Sequence, residues 1–243
     1  MSAGAPGRFF FVHVMRTGGT TFEQQLRRSF PRAAVYPDPD LDFPGGDIMH
    51  HLEVSYLLGL PAARLDAIRL FYGHFPYVVT EMLGGDLTTV TVLRDPVART
   101  ISLLRVMREQ REAWHDLTLE QIYDDANMFP RLVHNHQTKV YSITRDDRPR
   151  SYRDEIDVDD ARLALAKRNL ARVDVIGLTE QYGEFLERLH HRFGWQLSEQ
   201  ARLNAAGGAP EESGPLRSRI AADNAIDIEF YEYARELVRR RGA

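Results

Sequence analysis

Two short stretches of this chain carry residue types suited to binding an anion. The first is "FFFVHVMRTGGTTFEQQL", Phe9–Leu26. Its apolar run breaks into Arg16-Thr17-Gly18-Gly19-Thr20-Thr21 and then into a helical pattern. Glycines let the backbone turn so that successive N–H groups point inward, and the helix that follows adds the positive end of its dipole. Thr20 and Thr21 add hydroxyl donors at the helix start, so the loop suits a tetrahedral anion. Taken alone, the segment also reads as a tight turn with a threonine cap. An ordinary nucleotide P-loop needs a lysine directly after glycine. The chain's two lysines, Lys139 and Lys167, do not follow glycines. Arg16 stands before the glycines instead, permanently charged and able to donate several hydrogen bonds.

The second stretch is "TTVTVLRDPVARTISLL", Thr88–Leu104. It starts as a strand and changes period at Asp95-Pro96, where Asp95 suits a helix N-cap and Pro96 the first helical position. Arg94 then sits at the carboxyl end of a strand and Ser102 about two turns into the helix. Arg99 and Ser102, three apart, are expected to share a face. Arg94 and Ser102 can thus converge on one anion.

The elements that must position these residues are legible as alternating periods. Strands are expected at Phe9–Val14, Ala33–Tyr36, Arg69–His74, Thr88–Leu93 and Asp174–Leu178. Helices are expected at Thr21–Phe30, Leu52–Leu58 with Ala62–Ala67, Val97–Arg111, Leu119–Asp125, Asp159–Ala171, Gln181–Phe193 and Ile226–Arg240. This alternation points to a three-layer α/β fold with a mostly parallel sheet covered on both faces, and sites in such sheets collect at the strand carboxyl ends. "PDPDLDFPGGD" (Pro37–Asp47) and "AAGGAPEESGP" (Ala205–Pro215) read as loops. "RRRG" at the end reads as the solvated last turn of a helix.

At 243 residues the chain is expected to be a single domain. A net charge of −4 argues against a nucleic-acid binder that works by broad phosphate neutralisation. With no cysteine, thiolate catalysis and cysteine-type zinc sites are excluded. Phe9–Met15 is too short for a signal peptide or a membrane span, so no integral membrane segment is expected and the default location is cytoplasmic.

The two stretches together, in this order, resemble the nucleotide-binding signatures of sulfotransferases that use 3′-phosphoadenosine 5′-phosphosulfate (PAPS). In that family the first loop holds the 5′-phosphosulfate, and an arginine and a serine eight positions apart, here Arg94 and Ser102, hold the 3′-phosphate. "FYGHFPY", "NHQTKVYS", "VIGLTEQYGEFLERL" and "NAIDIEFYEYA" resemble the branch that includes heparan sulfate 2-O-sulfotransferase and its bacterial relatives. The likeness runs from Phe9 to about Ala234. It implies the P-loop NTPase-like sulfotransferase fold, PAPS as co-substrate, no metal, and transfer of a sulfuryl group to a hydroxyl of a glycan or other small-molecule acceptor. One departure is Arg16, where many members carry lysine. The family's eukaryotic relatives are membrane-anchored, whereas this chain, with its arginine-heavy composition, looks like a bacterial cytoplasmic relative.

Sulfuryl transfer to an alcohol needs a group to take the acceptor proton, and histidine, with an unperturbed pKa near ~6.5, suits that task. His74 ends the apolar strand in "RLFYGHF", at the sheet edge, and the resembling branch uses a histidine there as base. Gly73 beside it permits close approach. Arg16 is expected to stabilise charge on the departing phosphate. His50, His51, His136 and Gln137 are candidate acceptor-side residues, each with a structural alternative, and His13 is expected in the core beneath the loop. His134 and His136 form an H-x-H without an apparent third metal ligand. Leu178 and Thr179 could flank the adenine, or Thr179 could simply open a helix. Arg217 and Arg219 could close over the 3′-phosphate from a late loop, or be solvated. A P-loop-type phosphotransferase and a non-catalytic nucleotide-binding protein are the competing readings.

Overall fold

The computed structural model describes residues 7–43, 52–198 and 214–242. In chain order these form β1 (Arg8–Val12), α1 (Gly19–Arg27), β2 (Val35–Tyr36), α2 (Pro39–Asp42), α3 (Val54–Leu58), α4 (Ala62–Ala67), β3 (Leu70–Gly73) and α5 (Val78–Leu83). Then come β4 (Leu87–Leu93), α6 (Pro96–Gln110), α7 (Leu119–Tyr123), α8 (His136–Ser142), α9 (Asp160–Ala171), β5 (Val175–Leu178), α10 (Tyr182–Phe193), α11 (Gly214–Asp223) and α12 (Ala225–Gly242). The five strands make one sheet in the order β2-β3-β1-β4-β5, and every pairing is parallel. The expected α/β architecture with a parallel sheet flanked by helices is therefore present.

Alternation along the strands divides the core. Phe9 and Phe11 of β1 join Leu70, Val90 and Val175 on one face, where Phe22 and Leu26 of α1 and Phe185 and Leu189 of α10 cover them. Phe10 and Val12 turn the other way with Phe71 and Ile176, under Leu163 and Leu170 of α9 and Phe230 and Ala234 of α12. Each fully buried side chain of this size contributes roughly 1.5–3 kcal/mol. A third cluster joins α6, α7 and α11 through Ile101, Leu104, Ile122, Tyr123, Leu216 and Ile220.

Local chemistry sets the element ends that matter to the site. Asp95 caps α6, its carboxylate accepting the N–H of Ala98 at 2.8 Å, with Pro96 opening the first turn. β1 stops at Val12, short of the expected Val14, where it comes level with the end of β3 at Gly73 and bends into the loop, the Val14 carbonyl accepting the Thr17 hydroxyl at 2.9 Å. Three expectations are corrected. Gly214 and Pro215, read as loop, open α11, where proline costs nothing because first-turn N–H groups have no helical acceptor. α2 interrupts the Pro37–Asp47 loop, capped by Asp38 on the N–H groups of Asp40 and Leu41. In the terminal arginine run, Arg241 is not merely solvated: it donates to the carbonyls of Val173 and Ala171, each at 2.6 Å.

Candidate anion site

Because all strands run the same way, their carboxyl ends share one edge. β1 lies between β3 and β4, with Val12 level with Gly73 on one side and Thr91 on the other. The next residues out are therefore the Arg16–Thr21 loop in the middle, His74 to one side and Arg94 to the other.

The loop turns through two left-handed residues, Arg16 (φ 66°) and Gly18 (φ 86°). Its carbonyls are drawn onto donors from the neighbouring strand ends. Arg94 Nη1 donates to the Arg16 carbonyl at 3.2 Å, and the Thr179 hydroxyl to the Thr17 carbonyl at 2.6 Å. In a trans peptide the N–H opposes the C=O, so the N–H groups of Thr17 and Gly18 face away from those donors. α1 follows with Gly18 as its N-cap and no side chain capping its first turn, and such a terminus favours an anion.

Arg16, Arg94 and Ser102 meet. Arg16 Nε and Nη2 both lie 3.2 Å from Ser102 Oγ, across 86 residues of sequence. Burial lowers the Arg16 pKa, against the pull of Glu109, but a guanidinium stays charged at neutral pH. Arg94 is clamped through its backbone by Gln137, whose amide nitrogen donates to the Arg94 carbonyl at 2.8 Å and whose oxygen accepts its N–H at 3.2 Å. Gln137 is itself fixed at the start of α8. There Asp227 accepts from the N–H of Gln137 (3.1 Å) and from the N–H and hydroxyl of Thr138 (2.7 Å each).

Arg99 does not join Ser102 on the anion side. It is fully buried and donates to the carbonyls of Leu132 and Val133 at 3.0 and 3.2 Å. Burial pushes it down to about 10, against the field of Asp227. Lys139 donates to the carbonyls of Pro130 and Arg131. Two buried cations thus satisfy four successive carbonyls of the Phe129–Val133 π-helical turn, where no further helix takes them up.

His74, expected as the last residue of its strand, follows the end of β3 at Gly73 by one place and is half-buried. Its Nδ1 lies 2.8 Å from the carbonyl of His13. A carbonyl only accepts, so Nδ1 carries the proton and the lone pair sits on Nε2. The ring stands between His13, at 4.3 Å between centroids, and Tyr152, at 5.0 Å.

The remaining candidates are distributed as follows. Thr17 is buried with its hydroxyl on Val14, so only its backbone faces the anion position. Thr20 is exposed and Thr21 half-buried on the first turn of α1. Leu178 is buried, and the Thr179 hydroxyl is spent on the carbonyls of Thr17 and Leu93. Arg219 lies on a helix rather than a loop, donating to Asp124 at 2.5 Å with its guanidinium over Tyr123, and Arg217 shares that helix. His136 is fully buried, and burial with Arg99 and Lys139 holds it well below the ordinary imidazole range. Gln137 is fully buried, so it positions Arg94 rather than meeting an acceptor. His50 and His51 lie outside the described residues.

Sequence reasoning missed the parts played by His13, Tyr152 and Asp227. The stretches "NHQTKVYS" and "NAIDIEFYEYA", which hold Gln137, Thr138 and Asp227, were singled out only for their family likeness, without a role for Asp227. Among the described residues no group of three His, Asp or Glu side chains could hold a metal ion. Two surface grooves of about 510 and 530 Å³ lie elsewhere, lined by α9 and by α10 with α12 respectively, and include neither Arg16, His74, Arg94 nor Ser102.

Gly19 is the loop position with least room. A Cβ there would lie 2.2 Å from Cδ2 and Nε2 of the His13 ring, which stacks on Phe11 and abuts His74. Gly19→Ala is expected to destabilise the fold by roughly 1–3 kcal/mol in urea unfolding, the range for overpacking. Combined with His13→Ala, which removes the ring, its further effect should be smaller than in the native background.

Fold and site together define a parallel α/β protein whose central strand-to-helix loop brings Arg16, Arg94 and Ser102 to an uncapped helix start, with a histidine of fixed tautomer beside it. No protein-family model matches the chain, and a search of curated proteins returns no match.

Proposed function

We propose that the protein is a sulfotransferase that moves the sulfuryl group of PAPS to an acceptor hydroxyl on a carbohydrate or glycolipid, within a P-loop NTPase-like sulfotransferase fold. The observation that carries this reading is the meeting of Arg16 with Ser102 and of Arg94 with the Arg16 carbonyl. Two elements 78 to 86 residues apart, each resembling half of a PAPS site, supply charge and donors to one place. The residues present fit the group. A glycine-built turn, an uncapped helix start and Arg16 suit the 5′ end, and Arg94 with Ser102 suits the 3′-phosphate.

The reaction then proceeds in line. The acceptor oxygen forms its bond to sulfur as the bond from sulfur to the phosphate oxygen breaks, and the acceptor proton passes to His74 Nε2. Adenosine 3′,5′-bisphosphate leaves as an anion that needs no protonation near neutral pH. Arg16 and the N–H groups of the loop stabilise the charge that gathers on the departing oxygen. The clamp of Gln137 on the Arg94 backbone keeps that guanidinium aimed, so little ordering is lost on binding.

The test is calorimetric titration with adenosine 3′,5′-bisphosphate, ADP and ATP, followed by radiolabelled sulfate transfer over a panel of glycans and glycolipids. The bisphosphate is expected to bind more tightly than ADP. Arg94→Ala should weaken it by about 1.5–3 kcal/mol, the range for hydrogen bonds to charged groups. Equal binding of ADP, or a preference for ATP, would overturn the reading in favour of a phosphotransferase. Tight bisphosphate binding without transfer to any acceptor would leave a nucleotide-binding protein.

A further inference from the structure

Behind His74 sits a second pair of titratable groups that the transfer chemistry does not use. His13 is 4% exposed. Its ring is held on three sides, by Phe11 at 5.0 Å, by His74 at 4.3 Å and by the backbone of Gly19. Its Nδ1 lies 3.7 Å from Glu23 Oε2 of α1, an ion-pair separation rather than a direct hydrogen bond. The Glu23 side chain keeps 21% of its exposure, so a chain of contacts leads from solvent through Glu23 and His13 to the ring of His74.

We propose that Glu23 and His13 are positioning residues that act as one proton-holding pair behind His74 and set the pH range over which it works. This rests on the sulfotransferase reading only in calling His74 the base. The backbone of His13 fixes the His74 tautomer, and its ring transmits the charge state of Glu23, because neither imidazole can move away from the other. His13 faces His74 from the end of β3, Arg16 from the loop and Glu23 from α1. Glu23 faces Arg27 one turn on in α1 and Tyr72 from β3.

Burial pushes the Glu23 carboxyl up to about 7, against the pull of Arg27. Burial also holds His13 well below the usual imidazole range, with His74 and Arg16 adding to it. A proton on the pair near neutrality therefore resides on Glu23 and leaves as pH rises through about 7. Ionised Glu23 favours the imidazolium of His74, and neutral Glu23 withdraws that support. Glu23→Gln makes the neutral state permanent, so it lowers the midpoint of His74 and moves the acid limb of turnover to lower pH.

The experiment is a histidine ring-proton NMR titration of the ligand-free protein, its Glu23→Gln variant and its Glu23→Asp variant. The native His13 and His74 signals are expected to show an inflection near pH 7. Glu23→Gln should erase it and lower the His74 midpoint by about half a pH unit. Glu23→Asp, which keeps the carboxylate, should retain an inflection. In the transfer assay the acid limb of kcat should shift by the same amount with the donor KM unchanged, which a merely structural role would not produce. Superimposed native and Glu23→Gln curves would overturn the pair, even if sulfuryl transfer is observed. The NMR shifts without sulfuryl transfer would support the pair while the functional reading fails.

Discussion

Replacing His74 with alanine is expected to lower turnover by roughly 10²- to 10⁴-fold, the contribution of a positioned general base. Binding of adenosine 3′,5′-bisphosphate should stay within about twofold of native, a difference well under the ~1.4 kcal/mol of a tenfold change. The separation follows from where the ring stands. His74 flanks the loop on the β3 side, whereas Arg94 and Ser102 lie on the β4 side. Its Nδ1 is held on the His13 carbonyl, which sets the tautomer and leaves the lone pair on Nε2. Transfer measured alongside calorimetry decides the matter, and loss of both together would refute the assignment of His74 as base. His74→Asn is the useful companion, since an amide can keep the hydrogen bond to His13 without accepting a proton in the transition state. It should be as inactive as the alanine variant while remaining as stable as the native protein.

Replacing Asp227 with alanine is expected to destabilise the protein by roughly 3–5 kcal/mol, the range for removing one partner from a buried charge cluster. Asp227 is fully buried and accepts through both oxygens, from the N–H of Gln137 and from the N–H and hydroxyl of Thr138. Both oxygens accepting is the pattern of a carboxylate. Burial pushes its pKa up, while Arg99 and these hydrogen bonds pull it back. Alanine would leave the start of α8 without its acceptor and Arg99 without the carboxylate field of Asp227. Asp227→Asn keeps one acceptor oxygen and should lose less. Because α8 carries the clamp on Arg94, the alanine variant should also bind the bisphosphate more weakly under conditions where it remains folded. Urea unfolding gives the first effect and calorimetry the second, and a stable variant with native affinity would show that α8 is held by other means.

How far each element could be read ahead of the structure follows from its surroundings. All five strands were legible because β-branched and aromatic runs bounded by glycine and polar residues are local signals. α6 was legible to within a residue, since Asp95 and Pro96 mark its start chemically. α8 was missed because all seven of its residues are buried although His136, Gln137, Thr138, Lys139 and Ser142 are polar, so no apolar stripe of 3.6-residue period marks it. α11 was missed because Gly-Pro reads as a break until something packs behind it, here Leu216 and Ile220 against the α6 and α7 cluster.

The site divides in the same way. Arg16, Arg94, Ser102 and His74 were recognisable from type and spacing, since each stands at a strand end or a fixed distance into a helix. Arg99 was expected beside Ser102 on geometry alone, but its side chain turns to the carbonyls of Leu132 and Val133, whose unmet hydrogen bonds no spacing rule reveals. Gln137 was read as an acceptor-side candidate, because the backbone it clamps is 43 residues away.

By itself, then, the sequence determined the parallel α/β plan, the glycine-built loop without a lysine and the residues that stand at the strand ends, because all of these follow from periods and caps within a few residues. Only the tertiary structure decided which donors meet and which are spent on the fold. That choice depends on contacts across tens of residues: Arg16 with Ser102, Thr179 with the loop, His74 with the His13 carbonyl and Glu23 behind it. Burial then sets what each of these groups can do as an acid, a base or a fixed charge.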